Sequence, residues 1–128
     1  MEHTHHHAEG ELDQHGRPIK VPSVTVDALV VRPTVDKGPE ILLITRGQEP
    51  FKGSLATPGG FVDYNEDPEV AVLRELEEEC GVKGATPRMF TVAGKPGRDP
   101  RKHVISIFYH VEVGVDQEVK AGDDAATA

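Results

Sequence analysis

The residues of this 128-residue chain whose type and spacing could do chemistry are Glu75, Glu78 and Glu79. At i,i+3 and i,i+4 spacing they share one side of a helix, so three carboxylates project together. Each like-charge neighbour pair costs about 0.2–0.5 kcal/mol. Glu77, Glu78 and Glu79 also fall in the last turns, where the helix dipole disfavours anions. A local rule broken inside a well-formed helix calls for a functional explanation. A cation bound among the carboxylates supplies one, and oxygen donors without His or Cys favour Mg²⁺, with Mn²⁺ as the alternative. On helix composition alone, a solvated acidic face accounts for the same residues, and the sequence around them decides against it.

The element that must position these carboxylates is a helix over residues 68–80. Asp67 is a natural N-cap, Pro68 suits the first helical position, and Gly81 suits the left-handed residue past the end. Val70, Leu73, Leu76 and Cys80 form the expected buried stripe. Ahead of the helix, Gly60 is followed by five residues and Glu66, then by seven and Arg74-Glu75-Leu76. One residue later comes Glu78-Glu79, and one more separates it from Gly81-Val82. This run resembles the Nudix box with every fixed position filled, and Pro58-Gly59 before it matches as well. A chance match is on the order of 10⁻⁷ per start position.

The resemblance implies a Mg²⁺-dependent hydrolase of a diphosphate linkage. It assigns the metal to Glu75, Glu78 and Glu79 with the carbonyl of Gly60, gives Arg74 the task of orienting a glutamate, and has Glu66 steady the loop. Bound metal would neutralise the diphosphate and lower the pKa of an attacking water. The general base stays open between Glu75, inside the box, and Asp123 or Asp124 in the later AGDDA run.

Bulk properties fit this reading. The chain carries 22 acidic and 14 basic side chains, a formal net charge of −8. That balance opposes general binding to nucleic-acid backbones and tolerates phosphate substrates only with bridging cations. The single cysteine, Cys80, excludes an intramolecular disulfide and reads as a small buried residue. No apolar run approaches the roughly 20 residues of a membrane span, and no signal peptide opens the chain. A cytoplasmic protein with a small-molecule nucleoside diphosphate substrate, no nucleic acid and no membrane is the expectation.

Residues 1–20 read as an irregular lead-in with a His-rich start, and residues 21–128 as a single domain. Strands are expected over 21–32, 40–46, 55–57, 87–93 and 103–113, the third entering Pro58-Gly59-Gly60, with a short loop from Gly60 into the helix and 114–128 polar. Several strands with one mid-chain helix give an α/β arrangement. The resemblance sharpens it to the Nudix fold, a mixed β-sheet sandwiched between helices. The family's pattern continues past an AGDDA-like run into an aromatic-bearing strand and a closing helix, with no counterpart here. That leaves the sheet's cover to a missing C-terminal helix or to pairing of chains as a homodimer.

The loops indicate the substrate. Residues 47–53 present Arg46, Phe51 and Lys52 towards the region ahead of the box. Arg98, Asp99 and Arg101 lie in the run GRDPR, which resembles a loop of the ADP-ribose pyrophosphatase branch, as does PFKGSLATPGGFVDYNED. Arginines there can fork onto phosphates or stack on adenine. The resemblance therefore implies ADP-ribose, cleaved to AMP and ribose 5-phosphate. Other substrates for the same box are NADH, a dinucleoside polyphosphate or an oxidised nucleotide. The remaining alternative is a module that senses ADP-ribose without turnover.

Overall fold

The computed structural model describes residues 11–49 and 51–119, together with the backbone of 125–127. Asp123 and Asp124, the expected alternative bases, lie outside the described residues, as does the histidine-rich start.

Strand β1 (Ser23–Arg32) is the spine of a mixed sheet. Its alternation puts Val26, Ala28 and Val30 on the buried face and Thr25, Asp27 and Leu29 on the other. Strand β7 (Val104–Glu112) runs parallel to it, in register from Ser23↔Val104 to Val31↔Glu112. Strand β2 (Glu40–Ile41) pairs antiparallel with one end of β1, and β5 (Gly59–Phe61) with the other. Strand β6 (Pro87–Ala93) closes the far side against β7, with a register shift between Met89 and Thr91. A smaller sheet holds β4 (Leu55–Ala56), β3 (Ile44–Arg46) and β8 (Ala125–Thr127) in that order.

Two of the expected elements are reorganised. Residues 40–46 are not one strand but β2 and β3. Leu42 N–H still donates to Val30 O at 3.0 Å, after which the chain leaves the large sheet for the small one. The run Ile41-Leu42-Leu43-Ile44 is apolar throughout, so no alternation fixes it to a single sheet. Gly60, expected to open the loop before the helix, lies instead within β5, because a glycine can approach where a side chain cannot. A Cβ on Gly59 would run into the carbonyl oxygen of Val26.

Helix α1 (Pro68–Cys80) is capped as its sequence indicates. Asp67 Oδ1 accepts the Glu69 N–H at 2.8 Å. Gly81, at φ 71°, donates its N–H to Glu77 O at 3.0 Å. The buried side of the helix is rotated from the expected stripe. Ala71, Val72, Leu76, Glu79 and Cys80 are buried, whereas Val70 is 56% exposed. The helix packs on β1 and β5 along the side that carries Glu79, which fixes this rotation. Leu76 and Val72 join Val26, Val30, Tyr109 and Val111 in the core. The fold is α/β, as expected, with α1 the one helix on the mixed sheet among the described residues.

Candidate active site

Gly59 and Gly60 lie between helix α1 and the centre of β1, and the acidic side chains converge on them. Glu79, only 7% exposed, accepts the Gly59 N–H through Oε1 at 2.9 Å. A Cβ on Gly60 would stand 2.5 Å from Glu75 Oε2, so that carboxylate lies directly against the glycine. Glycine is therefore required at both positions for two carboxylates and the strand backbone to meet.

Arg74 organises the acidic wall. Its Nε and Nη2 donate to Glu66 Oε2 and Oε1 at 2.8 and 3.0 Å, a two-pronged pair. Nη1 donates to Glu75 Oε2 at 2.9 Å, and Nη2 reaches Phe61 O at 3.2 Å. Glu66 also accepts the Asp63 N–H at 2.9 Å. The Arg74 hydrogen bond holds the Glu66 carboxyl below its ordinary value, and Glu66 in turn raises the Arg74 pKa. One guanidinium thus fixes the loop before the helix and a carboxylate on it. Arg74 bonds both Glu66 and Glu75, and Glu66 bonds the loop backbone at Asp63.

These residues form one wall of a cavity of about 540 Å³. Of the expected site residues, Gly60, Arg74, Glu75 and Glu79 line it from the helix side. Arg46, Arg98, Asp99 and Arg101 line it from the loops. Glu78 does not line it. It is 46% exposed and lies 3.4 Å from Arg74 Nη1. Phe51 does not line it either, because it is 60% exposed beside the turn closed by Ser54 N–H on Phe51 O.

The two loop arginines are held differently. Arg101 makes a double hydrogen bond with Asp99, Nη2 to Oδ2 at 2.8 Å and Nε to Oδ1 at 3.1 Å. That contact pulls the Asp99 carboxyl down to about 2. Arg101 and Lys102 also sit over the Phe61 ring, 5.5 and 5.0 Å from its centroid. Arg98 instead crosses the sheet's open face. Its Nη2 donates to Ser106 Oγ at 2.7 Å and to Ala93 O at 3.2 Å, and Ser106 Oγ lies 2.6 Å from Thr25 Oγ1.

The structure adds residues that sequence reasoning missed. Asp27, Thr57, Thr25 and Ser106 line the same cavity. Thr57 donates to Asp27 Oδ1 at 3.0 Å. Burial raises the Asp27 carboxyl pKa, against the Thr57 hydrogen bond and the nearby guanidiniums of Arg98 and Arg46. The available signal was an aspartate inside a strand, where that residue is disfavoured.

Residues 22–128 match the model of the NUDIX domain. The chain belongs to the Nudix family. Among curated relatives, an ADP-ribose pyrophosphatase of Methanocaldococcus jannaschii is 46% identical over 107 residues, 84% of this chain and 60% of that protein. The Nudix domain of Shewanella oneidensis NrtR, solved with ADP ribose, superposes at a TM-score of 0.78 with 26% identity. That match covers 93% of this chain and 77% of the other. A bifunctional NMN adenylyltransferase/ADP ribose pyrophosphatase of Francisella tularensis, solved with AMP and a Mn ion, gives a TM-score of 0.74 at 32% identity. It covers 85% of this chain and 33% of that one. This Nudix chain spans 60% or less of the length of its curated relatives.

The donor chemistry fits a hard divalent cation. Glu75 and Glu79 bring oxygen donors to the Gly59-Gly60 backbone, with Glu78 on the next turn position. Among the described residues no three acidic, imidazole or thiol groups already surround a common point. Arg74 currently holds Glu75 and Glu78.

Proposed function

We propose that this protein is a Mg²⁺-dependent pyrophosphohydrolase whose substrate is ADP-ribose, with AMP and ribose 5-phosphate as products. The observation that carries the reading is one cavity with glutamates on a helix wall and arginines on a loop wall. Its volume of about 540 Å³ suits a ligand of nucleotide-sugar size. An anionic diphosphate needs cations on one side and a water-activating site on the other, and these walls supply both roles.

Gly60 O, Glu75, Glu78 and Glu79 would hold the metal, which supplies charge neutralisation and a more acidic bound water. The protein's own residues do the rest. Arg74 keeps Glu75 from turning away from Gly60 while Glu66 anchors the guanidinium. Arg98 and Arg101 receive the phosphates or the base, and Arg46 adds positive charge at the cavity wall. Net reaction adds water across the phosphoanhydride, with Glu75, or Asp123 or Asp124, taking the proton. Mn²⁺ can replace Mg²⁺ with the same donor set.

A substrate panel tests the proposal. ADP-ribose, NADH, a diadenosine polyphosphate and nucleoside triphosphates are incubated with Mg²⁺, and the products are resolved. Preferential release of AMP from ADP-ribose supports the reading. Preference for another member keeps the hydrolase and discards the substrate assignment. Tight ADP-ribose binding without any turnover would instead make the chain a sensing module.

A further inference from the structure

The parallel pairing of β1 with β7 sets Thr25 beside Ser106, and their hydroxyls meet at 2.6 Å where both residues line the cavity. Ser106 is only 4% exposed, and a buried hydroxyl is costly unless hydrogen bonds satisfy it. Thr25 alone could do that. Each hydroxyl carries one proton and two lone pairs, so the pair has accepting capacity to spare. Arg98 takes it up. Its Nη2 donates to Ser106 Oγ at 2.7 Å, with the carbonyls of Ala93 and Val104 at 3.2 and 3.4 Å. All three acceptors fall on one nitrogen. Among the described residues Nε and Nη1 of Arg98 make no hydrogen bond, although the side chain lines the cavity.

Arg101, in the same loop, is the opposite case. Its Nε and Nη2 are both spent on Asp99, so its charge is already matched. No carboxylate among the described residues is in salt-bridge contact with Arg98, and Asp27 and Asp99 feel its charge only at longer range.

We propose that Ser106, backed by Thr25, is a positioning residue that presents Arg98 to the phosphates of the bound substrate. The inference rests on the hydrolase reading above and deepens it by naming which loop cation takes the anion and what holds it there. Phosphate oxygens supply both the charge and the acceptors that Nε and Nη1 lack. The anchor matters because Arg98 belongs to an exposed loop. A free arginine side chain loses its rotamer freedom when it binds, whereas one already pinned through Nη2 has lost much of it beforehand.

A double-mutant cycle on ADP-ribose cleavage tests the assignment. Arg98→Ala should lower kcat/KM about 10- to 100-fold, the scale of a charged hydrogen bond. Ser106→Ala should lower it about 3- to 10-fold, mainly through KM, the scale of one side chain left to be ordered on binding. In the Arg98→Ala background the second substitution should have no further effect, because it acts through that guanidinium. In the Arg101→Ala background it should keep its full size. A merely structural Ser106 would lower activity by the same factor in all three backgrounds, and that result overturns the proposal.

Thr25→Val keeps the shape and removes only the backing hydroxyl, which gives a second cycle should Ser106→Ala not fold. Its loss should likewise vanish without Arg98. A loss that persists there, or no loss from either substitution, overturns the proposal. Calorimetric Kd values for ADP-ribose, measured without Mg²⁺, should follow the same pattern and read the cycle even where binding occurs without turnover. Wild-type cleavage with additive losses sinks this inference alone, whereas a wild type that neither binds nor cleaves ADP-ribose sinks the hydrolase reading too.

Discussion

Glu79 on helix α1 accepts a hydrogen bond from the backbone N–H of Gly59 on β5, 2.9 Å away and twenty residues earlier in the chain. This contact ties the acidic helix to the strand pair at the centre of the sheet. It also explains why a glutamate is buried on a helix face otherwise made of Ala71, Val72, Leu76 and Cys80. The site is thus built into the packing of the helix, so its residues affect stability and activity together.

Gly60→Ala tests that closeness. The new methyl would meet the Glu75 carboxylate at 2.5 Å, and either the side chain or β5 must move. Overpacking of this kind costs about 1–3 kcal/mol. Urea denaturation should show a loss in that range, and Mg²⁺-dependent turnover should fall more steeply than stability. A variant with native stability and activity would mean that Glu75 does not rest on Gly60.

Arg74→Ala removes the partner of Glu66 and Glu75 at once, and both are largely buried side chains. An expected loss of about 2–4 kcal/mol follows from taking the guanidinium away from two partly buried carboxylates. Arg74→Lys should recover only part of it, because an ammonium cannot span Glu66 Oε1, Glu66 Oε2 and Glu75 together. Thermal melts of the three proteins check the order.

The Asp99–Arg101 pair has a defined pH signature. The hydrogen bond from Arg101 holds the folded carboxyl at about 2, below the ordinary aspartate value of 3.8. A depressed acid contributes stability that is present above the unfolded pKa and lost as pH falls through the folded one. The loop contact should therefore persist at pH 4 and disappear as the pH approaches about 2. Carboxyl NMR titration should give Asp99 a midpoint well under 3.8, and Arg101→Ala should return it to the ordinary range.

Cys80 should be silent in the folded state. Burial, with Glu79 beside it in sequence, pushes its thiol up to about 12. Iodoacetamide at pH 8 should label the chain only after denaturation. Rapid labelling of native protein would contradict the packing of the helix end.

The sequence made the helix and its caps legible, because Asp67, Pro68 and Gly81 act locally. The long strands β1, β6 and β7 were legible for the same reason, since alternation or apolar mass marks them. What escaped depended on contacts between distant residues. Val70 looked buried by spacing, but the Glu79–Gly59 contact turns the helix so that it faces solvent. Gly60 looked like the start of a loop because glycine propensity is read without its neighbour, yet it pairs with Val26 on β1. Glu75 and Glu79 stood out by their spacing, and Arg74 by the resemblance to the Nudix box. Asp27 and Ser106 did not, because only the parallel pairing of β1 with β7 brings the open face of both strands to the cavity. Arg98 and Arg101 looked equivalent in sequence, and tertiary contacts alone separate one bound to Ser106 from one bound to Asp99.

The most direct measurement is Mg²⁺-dependent release of AMP from ADP-ribose by the wild-type protein and Glu79→Gln, side by side. Wild-type turnover with a fall of about 100-fold or more in the variant, at unchanged circular dichroism, is the predicted result. Equal turnover by the two proteins, or no Mg²⁺-dependent cleavage by the wild type, would contradict the account.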